Sequence, residues 1–178
     1  MLQESTTIKV ARLFFRRPNE EFYLKGISRE LGIAHTSVNT ALEELLKNNI
    51  IRKENKKRGS RIFPIYSADF QKKEHKTLKR LDNISLIIQS GIVEEIVDIA
   101  TPTSIVLFGS YEKGEDTEDS DIDIFIESAK FTFDKKKYEK ILDRRIEIHQ
   151  NITFKKLPEG LRSNIANGLV LYGFLEVY

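Results

Sequence analysis

Residues 104–127 read SIVLFGSYEKGEDTEDSDIDIFIE, and the last third of that stretch limits what the chain can become. Asp121-Ile122-Asp123-Ile124-Phe125-Ile126 alternates with period two, the side-chain period of a β-strand and of no helix. As a strand it sets Asp121 and Asp123 on one face and Ile122, Ile124 and Ile126 on the other. The apolar run Ile105-Val106-Leu107-Phe108 predicts a buried strand ahead of it. Gly109-Ser110 stops that run, and a polar loop of ten residues, 111–120, is expected between the two strands, with a helix start within 111–114 left open. Two carboxylates at i and i+2 above an apolar underside form a preformed site for a hard divalent cation.

The chain around this stretch has 178 residues, enough for one medium domain or two small ones. It contains no cysteine, which excludes a disulfide framework and a thiolate zinc site. No run approaches the roughly 18–20 apolar residues that span a bilayer. The start, MLQESTTIKVARLFF, lacks the layout of a signal peptide, so a cytoplasmic location and no membrane partner are expected. Charge divides the chain. Residues 1–80 carry 18 Lys/Arg against 9 Asp/Glu, a net +9, and residues 81–178 carry 11 against 18, a net −7. A basic front and an acidic back predict two domains with different partners.

In the basic part, an amphipathic helix is expected over 1–17, with Ile8, Ala11, Leu13, Phe14 and Phe15 apolar and Pro18 ending it. A second is expected over 24–31, closed by Gly32, and a third over 35–48 with Val38, Leu42, Leu45 and Leu46 on one stripe. The runs 50–53 and 61–66 predict a hairpin with a basic tip over 54–60. This order of elements resembles the winged helix-turn-helix family. The resemblance implies binding of double-stranded DNA, with His35, Thr36, Ser37, Asn39 and Thr40 near base edges and Lys56, Lys57, Arg58 and Arg61 on phosphates or in the minor groove. Winged helices also serve as docking or dimerisation modules, and that alternative stays open. A linking helix is expected over 69–90, where Leu78, Leu81, Ile84 and Ile88 fall at three- and four-residue spacing that would also suit a homodimer. Domains of 1–68 and 91–178 flank it.

In the acidic part, Phe108-Gly109-Ser110, ten residues and Asp121-Ile122-Asp123 resemble the signature of the polymerase-beta-like nucleotidyltransferases. The finer pattern GSxxxGxxxxxSDxD is met by Gly109, Ser110, Gly114, Ser120, Asp121 and Asp123 and is similar to the minimal branch of that superfamily. The fold class implied is α+β, a winged helix-turn-helix followed by a small α/β domain with a mixed sheet and flanking helices. The resemblance implies Mg²⁺, two ions, and ATP or another nucleoside triphosphate. Gly109, Ser110, Lys113, Gly114 and Ser120 would hold the nucleotide, and Asp121 and Asp123 the metal. A third acid is expected on a neighbouring strand. Glu147 in Arg144-Arg145-Ile146-Glu147-Ile148 fits the alternation, as metal ligand and general base, and Asp143 is the alternative. His149 shares the Glu147 face and is read as structural.

Relatives often carry Arg between the two glycines where this chain has Lys113. Glu112, Glu115, Asp116, Glu118 and Asp119 would repel a triphosphate unless Mg²⁺ arrives with it or the loop faces away. Two functions are expected to compete. One is a nucleotidyltransferase moving a nucleoside monophosphate, AMP from ATP, to an acceptor such as a toxin partner protein. The other is a DNA-binding regulator whose second domain binds nucleotide without transfer.

Overall fold

Ser5 starts the first helix: its side-chain oxygen accepts the amide of Ile8 at 3.2 Å, satisfying a donor that a helix start leaves unpaired. In the computed structural model, which describes residues 4–177, α1 runs Thr6–Arg16 and buries Val10, Ala11, Leu13, Phe14 and Phe15. The helix expected over 1–17 thus begins later, and residues 1–3 lie outside the described residues. α2 (Leu24–Leu31) ends at Gly32, and α3 (His35–Lys47) buries Val38, Ala41, Leu42 and Leu45. These faces meet Phe22 and one another in a single apolar core.

Beside the helices lies a three-stranded antiparallel sheet of order β1 (Glu21–Phe22), β3 (Arg61–Ala68), β2 (Ile51–Arg58). β2 and β3 pair from Ile51↔Ala68 to Arg58↔Arg61, which leaves Gly59 and Ser60 as the turn. This corrects the expected tip of residues 54–60. Ladder bonds are made by the backbone, so the strand continues through Glu54, Asn55, Lys56 and Lys57 with no apolar alternation to mark it. Gly59, at φ +62°, supplies the left-handed residue that so tight a turn requires. Pro64 sits beyond the end of β1, where β3 has one neighbour, and a strand with one neighbour tolerates a missing amide.

The chain divides into two units between Lys79 and Arg80, inside α4 (Lys73–Ser90). Of the apolar stripe expected on that helix, Leu78 packs on the first core and Ile84 on the second, while Leu81 and Ile88 are exposed. No described helix is long and apolar enough to cross a membrane.

The second unit is a mixed sheet of order β6 (Ile146–Asn151), β5 (Ile122–Glu127), β4 (Ser104–Phe108), β7 (Leu169–Gly173). β4 runs antiparallel to β5 and β7, and β5 runs parallel to β6. Both faces of the central strands are covered. Ile105, Leu107, Ile122, Ile124 and Ile126 pack with Ile92 and Ile96 of α5 (Ile92–Ala100) and with Tyr138 and Leu142 of α7 (Lys136–Leu142). Val106, Phe108 and Phe125 pack with Phe154 and with Ile165 of α8 (Glu159–Ala166). The polar loop expected over 111–120 is also corrected, since α6 (Gly109–Lys113) follows β4 directly and buries Tyr111. The helix start left open within 111–114 thus falls two residues earlier, at Gly109.

β6 is an edge strand, and its free side is closed at Ile146. The Ile146 amide donates to Glu139 Oε1 at 3.0 Å, and Lys135 Nζ donates to the Ile146 carbonyl. The amide bond to Glu139 is the main cause that holds this carboxyl below its ordinary value. A depressed carboxyl contributes stability above the unfolded-state value and loses it as pH falls through the lower folded one. Glu139→Ala should therefore cost about 1–2 kcal/mol at neutral pH. Urea unfolding should show the difference from wild type shrinking in acid, and a difference independent of pH would refute the contact.

Candidate functional site

Alternation on β5 and its two neighbours assembles the acidic site. Asp123 is register partner of Phe108 on β4 and of Glu147 on β6. Paired residues of adjacent parallel strands share a face, and neighbouring strands lie about 4.8 Å apart, so Asp123 and Glu147 project side by side. Asp121 lies just before β5, two residues from Asp123 and hence on the same side. Glu147 is exposed, whereas Asp121 and Asp123 are partly buried.

Gly109 shapes the floor of this group. Its φ is +81°, and a Cβ there would overlap the Asp123 carboxylate. The glycine ahead of Ser110 is therefore required by the aspartate packed on it as well as by backbone conformation. Ser110 follows in α6, its carbonyl accepting the Glu115 amide at 2.9 Å. Lys113 is exposed at the end of α6, and Gly114 closes the helix at φ 70°. Ser120 is engaged within its own loop: its Oγ accepts the Thr117 amide at 2.9 Å and lies 3.3 Å from the Thr117 hydroxyl.

Each aspartate has a basic neighbour. Asp121 Oδ1 lies 3.5 Å from Arg145 Nε, and Asp123 Oδ1 lies 3.4 Å from His149 Nε2. The His149 ring rests against Phe108 at a centroid distance of 5.2 Å. Burial raises the Asp123 carboxyl above its ordinary value; His149 opposes this, and the Asp121 and Glu147 carboxylates add to it. The three acids thus share one electrostatic neighbourhood. Among the described residues no three His, Cys, Asp or Glu side chains converge closely enough to hold a metal ion. The oxygen-only donor set suits a hard cation.

The acidic loop does not present all five of its carboxylates to solvent. Glu112 and Asp116 are buried, taken up by Arg80 and Asn83 respectively, while Glu115, Glu118 and Asp119 are exposed. Beside Asp121 a cleft of about 320 Å³ is lined by Glu118, Asp119, Ser120, Glu139, Asp143, Arg144 and Arg145. Asp143, the alternative third acid, is the left-handed cap of α7 and lines this cleft without pairing to β5.

In the first unit, His35, Thr36, Ser37 and Thr40 are exposed along the start of α3. Asn39 is half-buried, with Nδ2 donating to Glu43 at 2.7 Å. Thr40 donates back to the Thr36 carbonyl at 3.1 Å. On the hairpin, Lys57 and Arg61 are exposed, and Lys56 donates to Glu21 at 2.6 Å. Arg58 lies in β2, with its side chain outside the described part of the structure.

Residues 89–172 match the family model for a nucleotidyltransferase domain. The match supports the nucleotidyltransferase superfamily, and with it a transferase, for the segment that carries β4, α6, β5 and β6. None of the curated proteins matches the chain. Among solved structures, the chain is similar to one titled "Possible transcriptional regulator", from Methanosarcina mazei Go1. The identity is 20% over 54% of this chain and 72% of that one, with a TM-score of 0.36.

Three residues of the second unit escaped sequence reasoning as parts of this site. His149 was legible from its spacing of two from Glu147. Arg145 carries no marker beyond adjacency to β6, and Arg80 reaches α6 from another helix, a contact that no local pattern encodes. Gly109→Ala should destabilise the protein by about 1–3 kcal/mol, through a left-handed backbone and the overlap with Asp123. Thermal or urea unfolding checks it, and a variant as stable as wild type would refute the packing of Asp123 on Gly109.

Proposed function

We propose that residues 80–178 form a Mg²⁺-dependent nucleotidyltransferase that moves a nucleoside monophosphate, AMP from ATP, onto an acceptor hydroxyl. The observation that carries this is the register pairing of Asp123 with Glu147 across parallel strands, with Asp121 two residues away and Gly109 beneath. Asp121, Asp123 and Glu147 would hold the metal, which supplies Lewis-acid charge neutralisation at the phosphates. Ser110 donates its hydroxyl to a phosphate oxygen, and Lys113 adds a positive charge. Glu147, the most open of the three acids, takes the acceptor's proton at its carboxylate. The acceptor oxygen then bonds to the α-phosphorus, the bond from that phosphorus to the bridging oxygen breaks, and pyrophosphate leaves. Water is kept from the underside by the apolar face of β5.

A second reading keeps nucleotide binding and drops transfer. It draws on the engagement of Asp121 by Arg145 and of Asp123 by His149, which a binding protein could retain. Incubation of the protein with α-labelled ATP, Mg²⁺ and lysate separates the two. Label should pass to an acceptor and fall about 100-fold or more in Asp121→Ala and Asp123→Ala. ATP binding without transfer under any condition would favour the second reading.

We also read residues 4–79 as a winged helix that binds duplex DNA. Support comes from the order α1, β1, α2, α3, β2, β3, from exposed His35, Thr36, Ser37 and Thr40 on α3, and from the basic hairpin. With Lys57 and Arg61 on phosphates, log K for duplex should fall linearly as log of salt rises. Lys57→Ala should reduce that slope by about one. A flat salt response in a binding titration would remove the phosphate contacts.

A further inference from the structure

α6 is too short to hold its own shape. Five residues make little more than one turn, and an isolated helix of that length does not persist in water. Backbone bonds close its end, the Gly114 amide on the Tyr111 carbonyl at 3.3 Å and the Glu115 amide on the Ser110 carbonyl at 2.9 Å. Two side chains of α4 add to them. Asn83, 4% exposed, donates Nδ2 to the Tyr111 carbonyl at 2.8 Å and to Asp116 Oδ1 at 2.9 Å. Arg80 donates Nε to the Glu112 carbonyl and to the Glu112 carboxylate, both at 3.0 Å, and a terminal nitrogen to the same carboxylate. Glu112 is 2% exposed, and that guanidinium is paired with it. Arg80 itself is half-exposed, and α4 is fixed by its own apolar residues Ile84 and Ile87, so this stretch of α4 does not need Arg80 to stay in place.

We infer that Arg80 and Asn83 are positioning residues: they cap α6 from outside and so fix Gly109 and Ser110 for the nucleotide. The inference rests on the reading of that segment as nucleotide-binding. It explains why a loop beside a phosphate site carries two acids that face inward. Glu112 and Asp116 are the handles by which α4 holds the turn, and neither charge is offered to the substrate. The cap acts on binding, since none of the groups that meet the reacting bond belongs to α4.

The experiment uses the full chain as Arg80→Met and, because that change leaves a buried carboxylate, also as Arg80→Met with Glu112→Gln. Three quantities are read: amide hydrogen exchange over 109–116, KM for Mg·ATP, and kcat. Expected are faster exchange confined to that segment and KM raised about tenfold, the equivalent of one hydrogen bond, with kcat unchanged. A variant that merely loosens the fold would exchange faster throughout the sheet, and that result overturns the inference. So does unchanged exchange over 109–116, or a fall in kcat at constant KM, or equal ATP affinity in variant and wild type. A wild type that neither binds nor transfers nucleotide overturns the reading beneath, and the affinity half of the inference with it.

Discussion

The Asp123 carboxylate lies on the α-carbon of Gly109, and the second unit is built so that it can. Antiparallel pairing of β4 with β5 brings Asp123 opposite Phe108, one residue before the glycine. A Cβ at 109 would meet that carboxylate where it now lies. A left-handed glycine makes the exit from β4, and α6 begins in the same residue. Strand, turn and acid are therefore a single packing unit. The spacing between the glycine and the two aspartates only has to close a connection whose ends are already fixed.

Burying an acid on this face has an electrostatic cost, visible in the upward displacement of the Asp123 carboxyl, to which the Asp121 and Glu147 carboxylates add. The structure offsets it locally. His149 and Arg145 each stand beside one aspartate, and Glu147 stays in water at the sheet edge, where its charge is cheaply solvated. Two further acids of the connection are drawn inward onto Arg80 and Asn83. What remains on the outside is less acidic than the composition of the loop suggests.

Apolar periodicity made the helices and central strands readable in advance. α2 ends at Gly32, and the Ile122-Ile124-Ile126 face is buried, as spacing requires. Alternation also placed Glu147 on a face, but its pairing with Asp123 depends on the crossover and could not be read locally. The hairpin strands were underestimated, because a solvated ladder needs no apolar code. β1 is two residues held by β3, and α6 is held by α4; both owe their form to partners distant in sequence. Contacts of that kind lie beyond any window of neighbouring residues.

The bonds from Glu139 and Lys135 to Ile146 tie the end of the crossover to the start of β6. They act as a pin that separates two kinds of length change. Residues added in the connection ahead of Lys135 fall outside the pinned segment and leave Glu147 where its ladder with β5 puts it. One residue added between Glu139 and Ile146 would slide β6 by a step and turn Glu147 to the far face. Insertions would therefore collect on one side of that pin in any lineage that keeps the third acid.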